Sequence, residues 1–302
     1  MKPSLVINKD YVFTNSYNTL GPEMLTYVAN SGLFDVTYHQ EHLNTGKGER
    51  GTIVYYNGKK VYVDFWEYLM PTYTKGTSDA KFDLIIKLQH YNYTVEYFES
   101  RCQKKQTLTF LTPEQRAEFI KKIVPWTFFC SRMMRQFIGK EDQIVPVPVD
   151  KLGFFCGKLW KCRNAMKEKF DKEGVEYTRS SQEWRSQRPL TDDEYIQKMK
   201  SSKFGVVLAG RRSWFTEGKN RREADYMILK KPLLMNYKPC YYNPLIEGKH
   251  YIYFDLNTNL KEIENQYNID EIAKNGYEWY KENMSPEGCA KSFLKIMTDK
   301  FG

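Results

Sequence analysis

The sequence lacks the long apolar segment that a membrane-spanning helix requires. No apolar run among its 302 residues reaches the ~18 residues that define such a helix. Residues 1–10 also lack the charged and then apolar pattern of a secretory signal peptide. We therefore expect a chain without a membrane span that acts in the cytoplasm.

Closely spaced cysteines are also missing. The six cysteines include no C-x-x-C pair, and Cys156 and Cys162 are the closest two. This spacing favours neither a zinc site nor a disulfide framework. We expect buried, reduced thiols, as in a cytosolic protein.

Long blocks of one charge are absent as well, although 46 basic and 37 acidic residues give a net charge of +9. A basic chain favours anionic partners such as nucleic acid, acidic lipid or diphosphate ligands. The basic residues alternate with acidic ones, however, as in the Lys-Glu-Lys of residues 167–169. This alternation is typical of a solvated helix surface and not of a nucleic-acid-binding stripe. We expect no nucleic-acid partner, and nucleic-acid binding or processing is kept as an alternative.

Short apolar runs alternate with helical patterns along the chain, which indicates an α/β architecture with mostly parallel sheets. Two predicted helices begin at strong caps, Thr112 before Pro113 and Thr191 in a capping box with Glu194. The pair Asn57-Gly58 lies between strand-forming residues and predicts a type I′ hairpin turn.

Residues 139–150 interrupt this alternation. Pro146 and Pro148 favour an extended path, although residues 145–149 are also a strand candidate. We interpret the segment as the passage between two domains, residues 1–145 and residues 146–302. The length of the chain suits two domains of roughly 150 residues each.

A glycine-rich pattern, G-x-G-x-x-G, occurs at residues 46–51. The dinucleotide-binding fingerprint requires a strand before this pattern and a helix after it. Residues 52–56 have the composition of a strand, so we interpret the pattern as a loop. A lid over an active site is the alternative.

Residues 201–254 predict a strand, a loop, a helix and another strand. A buried strand ends at Gly210, and a polar, basic loop begins at Arg211. The second strand begins at Pro232. This order places the start of the helix at the carboxyl edge of a parallel sheet, where open α/β sheets bind ligands.

Arg221, Arg222, Glu223 and Asp225 lie at or near the start of that helix. A helix N-terminus with two arginines favours a diphosphate ligand. A carboxylate one turn later suits hydrogen bonds from ribose hydroxyls. The alternative is a solvated first turn with surface ion pairs.

Arg222 and Asp225 have an Arg-x-x-acid spacing, and Pro232 follows seven residues after the acid. This stretch resembles the donor half of glycosyltransferases with the GT-B architecture, particularly exostosin-like and viral or capsule-type members. The family usually has Glu in place of Asp225 and commonly has Gly in place of Lys231. Because Asp is shorter than Glu, Glu223 is an alternative ribose ligand.

The resemblance implies two Rossmann-like domains that face a central cleft. It implies a nucleotide-sugar donor, with uridine diphosphate as the nucleotide, bound by Gly210, Arg211, Arg222 and Asp225. It also implies a glycan acceptor on the N-terminal domain. Residues 275–297 resemble the closing helices of this architecture, which cross back toward the first domain.

A second stretch, residues 153–160, resembles the first strand and loop of the donor domain. There Gly157 would let the backbone approach a phosphate, and Lys158 or Arg163 would neutralise it. The alternative for Arg163 is the basic surface of an amphipathic helix.

An inverting transfer needs a base that deprotonates the acceptor hydroxyl. Our candidates are His90, Asp64 and Asp79, with His39 and His42 as further histidines. His90 comes directly after a predicted strand, and the alternative is a structural histidine.

We expect catalysis without a metal ion or another cofactor. No Asp-x-Asp occurs where metal-dependent transferases hold their cation, and the pair His39 and His42 has no evident third ligand. Arginine and the helix dipole would then stabilise the departing diphosphate. A further alternative is a glycan-binding protein on the same scaffold that transfers no sugar.

Overall fold

A computed structural model describes residues 1–9, 20–40, 51–65, 82–88, 112–127, 130–156, 164–178, 190–208, 217–218 and 221–302. The chain divides into two compact units. Unit 1 comprises Met1–Thr127, Cys240–Asn243 and Pro286–Gly302, and unit 2 comprises Phe128–Pro239 and Pro244–Ser285. Each unit contains one main sheet with helices, so the predicted α/β class with two sheet-based units is confirmed.

The strands are β1 Ser4–Asn8, β2 Asp35–His39, β3 Gly51–Tyr56, β4 Lys59–Asp64, β5 Leu84–Lys87, β6 Ile123–Pro125, β7 Lys151–Cys156, β8 Val175–Thr178, β9 Ser202–Val207, β10 Glu217–Gly218, β11 Leu233–Met235, β12 Lys238–Pro239 and β13 Ile252–Tyr253. The α-helices are α1 Leu20–Asn30, α2 Pro113–Lys121, α3 Asn164–Glu173, α4 Asp192–Lys200, α5 Arg221–Ile228, α6 Ile263–Gln266, α7 Ile269–Asn283 and α8 Pro286–Phe301. Short 3₁₀ helices span Arg132–Phe137, Glu141–Gln143 and Leu260–Glu262. None of the helices in these ranges combines the length and the apolar composition that a membrane span requires.

The sheet of unit 1 has the strand order β2-β1-β3-β4-β5-β6. Strand β3 runs antiparallel to β1 and β4, and the other neighbouring strands are parallel. The predicted hairpin turn is confirmed, because Asn57 and Gly58 connect β3 to β4 with φ angles of 46° and 80°. Both central residues of a type I′ turn require positive φ.

Local signals also place the helix starts correctly. The Thr112 hydroxyl accepts the N–H of Gln115 at 3.2 Å, and the Gln115 side chain accepts the N–H of Thr112 at 2.8 Å. Thr191 and Glu194 form the same reciprocal pair at the start of α4. These two capping boxes satisfy N–H groups that the first helical turn leaves without partners.

The sheet of unit 2 is entirely parallel, in the order β13-β11-β9-β7-β8. Strand β8 follows β7 on one side, whereas β9, β11 and β13 are added on the other side. The direction in which strands are added therefore reverses between β7 and β9. Such a reversal is the topological switch point of a doubly wound sheet, and ligands bind at its carboxyl edge.

The strand predicted at residues 145–149 is wrong. Residues 144–150 form no regular element, and the side chains of Val145 and Val149 are exposed. Pro146 and Pro148 have no N–H to donate, so they cannot complete the hydrogen bonds of a sheet ladder.

Helices cover both faces of the unit 2 sheet. Successive residues of a strand point to opposite faces. The ring of Phe155 packs on Phe170 of α3, with centroids 6.4 Å apart, and the ring of Phe154 packs on Tyr195 of α4, with centroids 5.9 Å apart. Helix α3 therefore covers one face of the sheet, and α4 covers the other.

Helix α5 lies on the same face as α4. Gly205 of β9 pairs with Phe154 of β7, so a side chain at Gly205 would point to the Phe154 face. The ring of Tyr226 in α5 occupies that position, and its hydroxyl donates to the backbone oxygen of Phe154. The absence of a side chain at Gly205 is what lets α5 pack this closely on the sheet.

His250 is a buried structural histidine of unit 2. Its Nδ1 accepts the N–H of Ile246 at 2.8 Å, and burial, helped by the charge of Lys249, lowers its pKa to about 4. Between pH ~6.5 and ~4 the unfolded chain binds a proton there that the folded chain does not bind. The free energy of unfolding should therefore fall as the pH falls through this range.

We expect the His250→Asn variant to lose much of this pH dependence. An Asn oxygen can accept the same N–H but cannot be protonated in this range. Urea unfolding of both proteins at several pH values between 7 and 4 measures the difference. Equal slopes of unfolding free energy against pH would show that His250 does not carry the effect.

Candidate functional site

The candidate site lies at the carboxyl edge of the unit 2 sheet, where α5 begins. The helix ends through local signals: Lys230 has a positive φ of 53°, and the N–H of Lys231 donates to the Tyr226 oxygen at 3.0 Å. The N–H of Lys230 donates to the Met227 oxygen at 2.9 Å, which completes a Schellman motif before Pro232. These contacts end α5 before β11, the strand that follows it.

Arg222 brings a positive charge to the switch point. Its guanidinium lies 5.6 Å from the centroid of the Phe155 ring. Phe155 faces α3, whereas α5 lies on the opposite face of the sheet. The Arg222 side chain therefore reaches across the carboxyl edge between β9 and β7. A half-buried guanidinium in this place is suited to bind an anionic group.

Glu223 is fully buried and accepts a hydrogen bond from the hydroxyl of Tyr237. Tyr251 is near the same carboxylate, and its pKa is raised to about 12 by burial first and then by the charges of Glu247 and Glu223. Glu223 thus belongs to a buried cluster with tyrosine hydroxyls.

Asp225 is also buried, and its Oδ1 accepts the backbone N–H of Ser131 at 2.7 Å. Ser131 is the residue before the 3₁₀ helix Arg132–Phe137, so Asp225 ties this segment to α5. Because Glu223 and Asp225 are both buried, the alternative of a solvated first turn is wrong for these two residues. Their contact with a ribose stays a prediction.

An open cavity of about 290 Å³ lies further along the same edge. Asn236, which directly follows β11, lines it together with the end of β13 and the turn after it, Tyr253, Asp255, Leu256 and Asn257. The sequence interpretation did not select these residues. The available signals were Asn236 directly after one short apolar strand and Asp255 directly after the apolar run of residues 251–254.

The remaining predicted donor residues have no described side chains. Gly157, Lys158, Arg163, Gly210 and Arg211 lie outside the described residues, and Arg221 is described only as the first residue of α5. Gly157 follows β7 in the chain, and Gly210 follows β9. These two strands are neighbours on either side of the switch point. The donor roles of these residues stay predictions.

The candidate bases belong to unit 1, and of His90, Asp64 and Asp79 only Asp64 lies among the described residues. Asp64, the last residue of β4, is opposite Lys87, the last residue of β5. The Asp64 Oδ2 and the Lys87 Nζ are 3.0 Å apart, and both side chains are 0% exposed. His90 and Asp79 lie outside the described residues.

Lys87 is a partner that the sequence interpretation missed. Burial lowers the pKa of its ammonium group, and the charge and hydrogen bond of Asp64 oppose this effect. The signal in the sequence was a lysine at the end of an otherwise apolar strand. A fully enclosed carboxylate does not contact an acceptor hydroxyl in this conformation, and the role of Asp64 as a base stays a prediction.

His39 has structural contacts in unit 1. Its Nε2 lies 3.1 Å from the Ile53 oxygen, and its ring packs on Tyr55 with centroids 5.6 Å apart. His42 lies outside the described residues. Within the part of the chain that the structure describes, no three His, Cys, Asp or Glu side chains are grouped so that they could hold a metal ion.

Comparisons with known proteins give weak structural similarity. No protein-family model matches the sequence, and no curated protein matches it. A glycosyltransferase from Rickettsia africae has 9% identity and a TM-score of 0.39, over 81% of this chain and 71% of that one. TarM has 13% identity and a TM-score of 0.38, over 80% of this chain and 50% of that one. Similarities of this size carry no conclusion about activity.

Proposed function

We propose that this chain is a glycosyltransferase that moves a sugar from a nucleotide-diphosphate donor to a hydroxyl group of a glycan acceptor. The observation that carries the proposal is the guanidinium of Arg222 at the switch point of the parallel sheet in unit 2. The N–H groups at the start of α5 add a second source of positive potential at the same edge. Together they suit the two phosphates of such a donor.

The reaction follows from the charge that develops on the leaving group. As the bond between the sugar and the diphosphate breaks, negative charge grows on the diphosphate, and Arg222 with the helix dipole would stabilise it. We propose that this replaces a metal ion and that the transfer inverts the anomeric configuration. The choice of uridine as the nucleoside rests on the resemblance of the α5 sequence.

Arg222→Ala should weaken the binding of uridine diphosphate by about 10- to 100-fold. A hydrogen bond to a charged group contributes about 1.5–3 kcal/mol, which corresponds to this range. Titration calorimetry with uridine, guanosine and adenosine diphosphates measures the effect and the nucleoside preference together. Arg222→Lys should restore only part of the affinity, because an ammonium group cannot bind two oxygens in a planar fork.

The matched control is Lys274→Ala, which removes one exposed positive charge from α7 in the same unit. It should leave the affinity unchanged within twofold. Absence of binding for all three diphosphates, or equal affinities of the wild type and Arg222→Ala, would contradict the donor site. Binding of a glycan without turnover of any nucleotide sugar would instead favour a glycan-binding protein that transfers no sugar.

A further inference from the structure

The cavity beside Asn236 and Asp255 is separate in chemistry from the anion site at Arg222. Among the described residues that line it, none is a lysine or an arginine. Its lining combines two aromatic rings, the apolar side chains of Met166 and Leu256, a carboxylate and two amides. This combination favours a ligand that is uncharged, rich in hydroxyl groups and apolar on one face.

Two side chains of the lining are open to solvent, whereas Met166 and Phe254 are buried. Tyr253, the last residue of the short strand β13, is 37% exposed, and Leu256, in the turn after it, is 52% exposed. An exposed tyrosine ring offers a flat surface for the C–H groups of a sugar ring, and its hydroxyl offers a donor at the rim. No hydrogen bond of the Tyr253 hydroxyl occurs within the described part of the chain.

The carboxylate of Asp255 is held in place before any ligand binds. Its Oδ1 accepts the N–H of Asn257 at 2.8 Å, and the N–H and the hydroxyl of Thr258 at 3.0 Å each. The first of these bonds is the largest cause that lowers the pKa of Asp255, so the group is ionised at neutral pH. Its Oδ2 makes no hydrogen bond to the described residues and is able to accept two hydroxyl groups.

The size of the cavity also limits the ligand. A volume of about 290 Å³ lies at the lower end of the range for small-molecule sites. One sugar ring, with part of a second, suits this space. A ligand with phosphate groups would bring negative charge next to the Asp255 carboxylate, which opposes binding.

We propose that this cavity binds a neutral sugar residue, held by Tyr253, Asp255 and the Asn236 and Asn257 amides. The cavity would hold a part of the acceptor glycan away from the reacting hydroxyl, and that assignment rests on the proposed function. The binding of the sugar itself does not depend on it. Oriented, fixed acceptors such as Asp255 reduce the cost of ordering the site on binding.

The test uses two variants of the full chain and a set of neutral probes. The probes are the methyl glycosides of glucose, galactose and mannose, with maltose and lactose, in saturation-transfer NMR and calorimetry. Asp255→Asn keeps an oxygen for the three internal hydrogen bonds and replaces the other by an amide, so the turn should remain folded. Tyr253→Ala removes the ring. We expect each variant to weaken binding of the preferred probe at least tenfold.

Two matched controls and one second ligand complete the experiment. Tyr38→Ala removes an exposed tyrosine of unit 1, and Asp270→Asn neutralises an exposed aspartate of unit 2; neither should change sugar binding. Binding of uridine diphosphate should be unchanged in Asp255→Asn and Tyr253→Ala. In Arg222→Ala, binding of uridine diphosphate should be weaker and binding of the sugar should be unchanged.

Three outcomes would overturn the proposal: no probe binds, the two variants bind it as the wild type does, or Asp255→Asn weakens uridine diphosphate binding as strongly as Arg222→Ala does. The last result would assign the cavity to the nucleotide. Sugar binding that depends on Tyr253 and Asp255, in a protein that binds no nucleotide diphosphate, would support the sugar site and contradict the proposed transferase.

Discussion

Lys87→Met is expected to lower the free energy of unfolding of unit 1 by about 3–5 kcal/mol, the usual cost of breaking a buried ion pair. The substitution leaves the Asp64 carboxylate fully enclosed, with its cationic partner at 3.0 Å removed. An uncompensated buried charge must then either be neutralised by a proton or draw water into the sheet edge. Since domains are stable by about 5–15 kcal/mol, this is a large share of the total.

The double variant Asp64→Leu with Lys87→Met should recover most of that loss. It removes both charges, and hydrophobic pairs of similar volume often replace buried ion pairs with little cost in stability. Urea unfolding followed by circular dichroism, with the single variants and the double variant, measures the coupling between the two sites. Additive effects of the two substitutions would show that the pair does not act as a unit.

Gly205→Ala is expected to lower the free energy of unfolding of unit 2 by about 3 kcal/mol or more, at or above the upper end for overpacked cores. The new Cβ would lie 2.3 Å from the Cγ of Tyr226 and 2.6 Å from the Cδ1 of the same ring. Tyr226 is fully buried and donates its hydroxyl to the Phe154 oxygen, so the ring cannot turn aside. Helix α5 would have to move away from the sheet.

Such a shift would also displace Arg222, so we expect weaker binding of the nucleotide diphosphate in Gly205→Ala. Gly276→Ala is the matched control: its Cβ would be 3.2 Å from the His250 oxygen, and alanine favours the α7 helix over glycine. It should be close to neutral in stability. Adding Tyr226→Ala to Gly205→Ala should cost less than the sum of the two single variants, because the space for the Cβ is then open. If the double variant lost as much stability as the two single variants together, the steric explanation would be refuted.

Several features of the fold were predictable because they depend on neighbouring residues in the chain. The capping residues Thr112 and Thr191 and the turn at Asn57-Gly58 form hydrogen bonds or adopt dihedral angles within a few residues. The position of α5 and the placement of its first turn after a buried strand were predictable for the same reason. The strand predicted at residues 145–149 failed where the local signal was mixed, since two prolines stood among strand-forming valines.

The sequence by itself determined the α/β class, the helix starts and the charged first turn of α5. Only the tertiary structure decided that Glu223 and Asp225 are buried, that Arg222 reaches Phe155 across the sheet edge, and that Lys87 pairs with Asp64. It also brought Asn236 and Asp255 to one cavity. Caps and turns are set by contacts within one turn of the chain, whereas these contacts depend on which strands become neighbours. Strand order is decided by the packing of the whole sheet, and no spacing in the sequence encodes it directly.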